Sequence, residues 1–284
     1  MKLLHTIPET RDRVAEARRR GAVIGLVPTM GALHAGHMAL VRRARDECGF
    51  VAVSIFVNPT QFGAGEDFQE YPRTPERDLA MCEEAGVDLV FAPSADEMYP
   101  RGFDAWVEVG GLTEMLEGER RPGHFRGVTT VCAKLFHILS PDRAYFGIKD
   151  YQQLKVIEKM VRDLDFPLRI VPVETVREPD GLAISSRNAY LTPEERRAAA
   201  VLSRALRKAL SAFDGGERDA LSIERQVGEV LDSEPLARVE YADVVDAETL
   251  LPVERITELA AVLLAVRIGR TRLIDNVVLG RRES

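Results

Sequence analysis

Along the first two-thirds of the chain, apolar runs of strand length alternate with segments whose apolar residues recur at helical spacing. Residues 22–29 (AVIGLVPT), 50–57 (FVAVSIFV), 87–91, 143–146 and 168–175 read as strands. Between them, 38–48 carries Leu40, Val41, Ala44 and Cys48 on one helical face, and 74–85, 128–139 and 151–164 follow the same period. Parallel strands need long crossovers, and helical crossovers bury both faces of the sheet, so its strands read as continuous apolar runs. The pattern therefore predicts an α/β fold, a doubly wound parallel sheet. Thr74 and Pro75 mark one helix start as N-cap and first helical residue, and Gly86 marks its stop.

Beyond about Val176 the texture changes. Thr192-Pro193-Glu194-Glu195 is a capping box opening a long alanine- and arginine-rich helix to about Phe213, which Asp214-Gly215-Gly216 breaks. A helix over 220–231 and strands at 239–245, 261–268 and 271–278 follow, with less helix between them. A smaller α+β domain is expected there, dividing the chain into 1–177 and 178–284 with a hinge near 177–190. The 284 residues suit two domains at about 150 each, and 45% hydrophobic residues can fill their cores.

A formal charge of −7 argues against a chain devoted to gripping nucleic acid, and the arginines at 18–20 read as a solvated helix end. No apolar run approaches the roughly 20 residues of a membrane helix, and the N-terminus has no apolar core of a signal peptide. Cys48, Cys82 and Cys132, odd in number and without a C-x-x-C pair, read as free, partly buried thiols of a reducing compartment. A cytoplasmic protein with no membrane or nucleic-acid partner is expected.

The chemistry concentrates in Pro28-Thr29-Met30-Gly31-Ala32-Leu33-His34-Ala35-Gly36-His37. This stretch joins the first predicted strand to its helix at the carboxyl edge of the sheet, where open α/β sheets bind ligands. Gly31 and Gly36 permit close backbone approach to a ligand. His34 and His37 share a face if the helix begins near His34, and a helix N-terminus favours phosphate. A zinc site of the H-E-x-x-H type would need histidines four apart with a glutamate beside the first, and position 35 is alanine. A second carboxyl-edge loop, 147–153, brings Lys149, a mobile point charge able to neutralise phosphate, and Asp150, able to cap a helix or accept from a nucleoside. Ile184-Ser185-Ser186-Arg187 combines two hydroxyls, backbone N–H groups and a guanidinium, a phosphate-sized donor set.

H-x-G-H after the first strand resembles the signature of the class I nucleotidyltransferase superfamily, whose domain is Rossmann-like. The wider run PTMGALHAGHMAL resembles the pantoate–β-alanine ligase family in particular. The likeness continues through 53–62 (VSIFVNPTQF), 71–74 (YPRT), 124–128 (HFRGV), 146–153 (FGIKDYQQ) and 177–188 (REPDGLAISSRN), in that family's order. It implies ATP contacts at Met30, Gly31, Ala32, Leu33, His34, Ala35, Gly36 and His37, at Gly147, Ile148, Lys149 and Asp150, at the Val176 backbone, and at Ile184, Ser185, Ser186 and Arg187. The last group corresponds to a loop that closes over the triphosphate. It also implies pantoate on Gln61 and Gln153, with Gln61 near β-alanine, and a homodimer. The family's acidic cluster, linked to magnesium in some members, reads Glu76-Arg77-Asp78 here, with Arg77 interrupting it. Asp78 is expected behind a metal's own ligands or on the helix surface, and Mg2+ is expected to arrive as the ATP complex, its protein ligands unassigned.

The implied reaction is a two-step ligation through pantoyl adenylate, with His34, His37 and Lys149 as catalytic groups and the C-terminal domain as a lid over the labile intermediate. Rival readings are another nucleotidyltransferase releasing a nucleotide-linked product, an aminoacyl-tRNA synthetase, and a nucleotide-binding regulatory module without turnover.

Overall fold

The computed structural model describes residues 1–63 and 65–280. It forms two compact units, 1–148 with 152–174, and 149–151 with the chain from 175 onward. The first unit is built on six strands: β1 (Lys2–Leu4), β2 (Ile24–Thr29), β3 (Phe50–Ile55), β4 (Leu89–Phe91), β5 (Arg143–Gly147) and β6 (Arg169–Val173). They lie in the order β1-β4-β3-β2-β5-β6, every neighbouring pair parallel. β3 is buried over 50–54, as is most of β2, which explains the unbroken apolar runs. Helix Ala35–Glu47 covers the sheet with Met38, Leu40, Val41 and Ala44, packed near Val27, Val51 and Val53.

From β2 the chain moves to one side for β3 and β4, and β5 lies on the other side of β2. Pairing of Gly25 with Arg143 and Leu26 with Ala144 makes β2 and β5 neighbours. The order therefore reverses between them, and their carboxyl ends mark the crevice where such sheets take ligands. The 30–34 turn follows β2, and Gly147 ends β5 with Ile148 just beyond it.

The second unit holds an antiparallel sheet of β7 (Ala237–Asp246), β8 (Ala260–Ile268) and β9 (Thr271–Leu279), with β8 central. Leu202 and Leu206 of helix Val201–Asp214, Ile223 and Val227 of helix Ala220–Asp232, and Val262, Leu264 and Val266 of β8 fill its core. The expected α/β fold with a smaller α+β part is the one observed.

Two local expectations need correction. The long helix expected to reach Phe213 is two helices, Pro193–Ala198 and Val201–Asp214. Between them Ala200 N–H donates to Arg197 O and Leu202 N–H to Ala199 O, tightening the turn as Ala199 is drawn fully into the core. The Thr192–Glu195 capping box does form. Thr74 sits at the N-cap of Pro75–Glu84 but makes no capping bond, because its hydroxyl donates to Asp78 Oδ1 instead, at 2.9 Å. The apolar pattern also passes over β1 and helix Ile7–Arg19.

Candidate active site

Helix Ala35–Glu47 starts with two histidines in place of the usual hydroxyl and carboxylate caps. His34 is the N-cap, and its Nδ1 accepts from Gly36 N–H at 3.2 Å. His37 Nδ1 accepts in return from His34 N–H at 3.4 Å. A ring nitrogen that accepts carries no hydrogen, so in each neutral imidazole the hydrogen sits on Nε2. The ring centroids are 4.0 Å apart with planes tilted by 34°. The local fold thus fixes both tautomers and holds two N–H donors side by side at a helix N-terminus, where partial positive charge already favours an anion.

The turn leading into this cap is unusual backbone. Gly31 has φ +83° and Ala32 φ +48°, and Leu33 is buried at 2% exposure. Asp78, itself 1% exposed, accepts from Ala32 N–H at 2.9 Å and Leu33 N–H at 2.8 Å. Glu76 and Arg77 of the same helix start are exposed. The expectation of a surface carboxylate at 78 does not hold, and no group of three or more metal-ligating side chains is gathered among the described residues.

Gln61 ends a turn of 3₁₀ helix after β3, Pro59–Gln61, and is buried. Its Nε2 donates to Met30 Sδ at 3.1 Å and its Oε1 accepts from Asn58 Nδ2 at 3.0 Å, tying the amide to the turn that carries His34. Its backbone carbonyl accepts from His124 Nδ1 at 2.8 Å. A carbonyl can only accept, so His124 holds its hydrogen on Nδ1, and its Nε2 faces Arg121 Nη1 at 3.1 Å. Burial, then the neighbouring guanidinium, pulls the His124 pKa down to about 4, keeping it neutral. Arg121 also pairs with Glu66 at 2.6 Å; burial would raise that carboxyl, but the guanidinium prevails and holds it below the usual range.

Of two adjacent glutamines entering helix Tyr151–Asp163, Gln152 is a brace. It is 4% exposed, accepts from Glu117 N–H, and donates to Leu112 O and Met115 O at 2.7 and 2.9 Å. Gln153, beside it, is half-buried. Ile148 N–H donates to Val173 O at 2.9 Å, which fixes the end of β5 against β6.

Lys149, Asp150, Val176 and residues 184–187 belong to the second unit. Lys149 Nζ stands 3.7 Å from Asp150 Oδ1, and the Lys149 carbonyl accepts from Asn276 Nδ2 on β9 at 2.7 Å. Val176 O accepts from Ile184 N–H at 3.0 Å, and Arg177 bridges to Ala183, so this stretch is a small hairpin. Arg177 pins it through two bonds, 2.6 and 2.9 Å, to the Asp275 carboxylate, which is fully buried. Ser185 caps the 3₁₀ turn Ser186–Tyr190 by accepting from Arg187 N–H at 3.3 Å. Sequence reasoning assigned no role to Asn58, Arg121 or His124 and missed that of Asp78. The 124–128 block was visible as a likeness, but nothing local says that its histidine grips Gln61.

The family model for pantoate–β-alanine ligase matches residues 2–278. A pantothenate synthetase of Moorella thermoacetica is 57% identical over 279 residues, covering 98% of this chain and 99% of the relative. One from Rubrobacter xylanophilus is 58% identical over 288 residues, with 98% of each covered. Among solved structures, the pantothenate synthetase of Thermus thermophilus superposes with a TM-score of 0.93 at 51% identity, covering 98% of this chain and 99% of that one. The Francisella tularensis pantoate–β-alanine ligase, solved with an ATP ligand and β-alanine, gives 0.81 at 33% identity over 98% and 97%. With two adjacent imidazoles capping the helix after β2 and a family match along nearly its whole length, the chain belongs to the pantoate–β-alanine ligase family.

Proposed function

We propose that the chain condenses (R)-pantoate with β-alanine to pantothenate, using ATP and passing through pantoyl adenylate. The observation that carries this reading is the paired histidine cap, in which both Nδ1 atoms accept from backbone donors and both ring hydrogens therefore sit on Nε2. In the first step a carboxylate oxygen of pantoate forms a bond to the α-phosphorus of ATP, and pyrophosphate leaves. A carboxylic acid of pKa about 4 is already ionised at neutral pH, so no base is needed. Catalysis then rests on alignment and on donors aimed at developing charge. His34 and His37 serve the phosphoryl oxygens, and His37 also serves as proton donor to the leaving phosphate.

Gln61 and Gln153 hold pantoate by neutral amides, which orient a carboxylate without quenching its nucleophilicity. The Gln61 amide is preset by Asn58 and Met30, which supports this assignment. Gln61 also borders β-alanine. ATP is assigned to residues 30–37 and 147–150, Val176 and 184–187, with Lys149 as the mobile countercharge. In the second step the neutral β-alanine amine attacks the acyl carbon, AMP leaves with the electrons of the broken bond, and the amine's proton passes to water or to the phosphate. Magnesium enters as the ATP complex, held by phosphate oxygens and water; Asp78, whose oxygens already accept from backbone donors, does not fit a protein-held site. We assign the enzyme to the cytoplasm as a homodimer, and no described helix is long and apolar enough to cross a membrane.

ATP–pyrophosphate exchange that requires pantoate but not β-alanine is the expected result, with His34→Ala or His37→Ala each lowering it about 10²–10³-fold. Exchange without pantoate, or near-normal exchange in a folded histidine variant, overturns the assignment.

A further inference from the structure

The 31–34 turn that delivers the histidines is held in a shape the chain would not choose alone. Ala32 at φ +48° lies in the left-handed region, which costs a side chain roughly 1 kcal/mol or more. Asp78 is one group that fixes it, alongside Thr29 Oγ1, which accepts from Gly31 N–H at 3.2 Å. Oδ2 accepts from Ala32 N–H, while Oδ1 accepts from Leu33 N–H and from Thr74 Oγ1. Successive N–H groups converging in this way form an anion-binding hollow, and here the hollow is filled from within the protein. Gly31 is part of the same fit, since a Cβ there would lie 3.0 Å from Asp78 Oδ2 and 3.2 Å from Ile55 Cγ2.

We propose that Asp78 is a positioning residue, whose carboxylate locks the Gly31–Ala32–Leu33 backbone and through it the register of the two capping imidazoles, and that it is not a magnesium ligand. An ionised carboxylate offers about four acceptor positions, and three are taken by protein donors. At 1% exposure the carboxylate is shielded, and a cation taking more than the one remaining position would displace those donors and strand the Ala32 and Leu33 N–H groups, which is costly. The lock also accounts for Arg77: the helix turns that position outward, so a basic residue there leaves the carboxylate's partners untouched.

The catalytic consequence rests on the adenylation reading, but the lock itself can be measured without it. In Asp78→Asn the amide presents N–H to at least one backbone N–H. Hydrogen exchange of the Ala32 and Leu33 amides in the ligand-free protein is expected to accelerate at least tenfold, while amides of β3 keep their protection. The kcat of pantoate-dependent exchange falls about 10²-fold, as a displacement near 1 Å would cause, with the magnesium concentration for half-maximal rate unchanged. Thr74→Val, which keeps the carboxylate and removes one donor, gives an intermediate effect and guards against simple misfolding. Activity recovered by excess magnesium or manganese, with the two amides exchanging as in the parent, overturns the proposal. If the parent shows no pantoate-dependent exchange at all, the functional reading falls while the amide measurement still decides the lock.

Discussion

Gly127 lies in the first turns of helix His124–Leu139, where replacing glycine by alanine ordinarily stabilises a protein by up to about 1 kcal/mol. Here the opposite is expected. An added Cβ would stand 2.4 Å from Thr60 O, 2.5 Å from Thr60 C and 2.7 Å from Gln61 Cα, all backbone atoms that cannot rotate away. Ordinary contact begins near 3.4 Å, so helix and turn must part by about 1 Å. Two bonds resist that movement: Asn58 Nδ2 to Gly127 O at 3.1 Å, and His124 Nδ1 to Gln61 O at 2.8 Å. Overpacking of this kind costs about 1–3 kcal/mol, which offsets the helix gain and leaves a net loss of up to about 2 kcal/mol. The same shift carries the Gln61 amide with it, and a misplacement of about 1 Å lowers pantoate-dependent turnover about 10²-fold. Urea unfolding reads the first number and ATP–pyrophosphate exchange with pantoate varied reads the second. A Gly127→Ala protein more stable than its parent, with unaltered kcat/KM for pantoate, would refute the contact; lost stability with intact kinetics would refute only the role of Gln61.

Other outcomes follow from the buried groups. His124 has its pKa lowered from 6.5 to about 4, first by burial, so the unfolded chain takes up the proton earlier as the medium is acidified. Its contribution is complete above pH about 6.5 and is lost as pH falls toward 4, on the order of 3 kcal/mol. Unfolding measured between pH 7.5 and 4.5 should show a steep loss that flattens in His124→Gln, and an equal slope in both proteins counts against a buried neutral imidazole. Burial raises the Cys82 thiol to about 11, with Asp78 adding to it, and Cys132 to about 12. A disulfide reagent at pH 8 should label neither until the protein unfolds, so rapid labelling of the native state is the contrary result. Thr192→Ala removes an N-cap bond and should cost about 1 kcal/mol in the second unit, read as a lower urea midpoint.

What could be read from the chain beforehand followed the range of the forces involved. β2 and β3 were visible because both of their faces are covered, so burial wrote itself into consecutive apolar residues. β1 was not, since its three residues are mostly exposed and its place is set by pairing with β4, some 87 positions away. The break at Ala199 was hidden because alanine's local preference is helical and no glycine or proline marks a stop beside it.

The site divides along the same line. The proposed ligand contacts cluster in short stretches of sequence, because a turn at a strand end presents its donors together, and residues 30–37 are legible there as one run. Groups that hold those donors come from elsewhere in the chain. Asp78 reaches the turn from 46 residues beyond Ala32, and His124 reaches Gln61 across 63. A carboxylate three places after a proline reads as helix surface or metal ligand, and no local signal separates those from a carboxylate turned inward onto two backbone amides. Only the third dimension shows that its acceptor positions are already filled. The consequence is chemical: neutral imidazoles whose Nδ1 is engaged by the backbone are fixed with the hydrogen on Nε2, the tautomer the proposed donor role needs. That fixing is distributed over Gly36, His34 and, through the turn, Asp78. Catalytic strength at this cap should therefore respond to substitution of Asp78 nearly as it does to the imidazoles and less to substitution of Thr74, while changes at exposed Glu76 and Arg77 leave it alone.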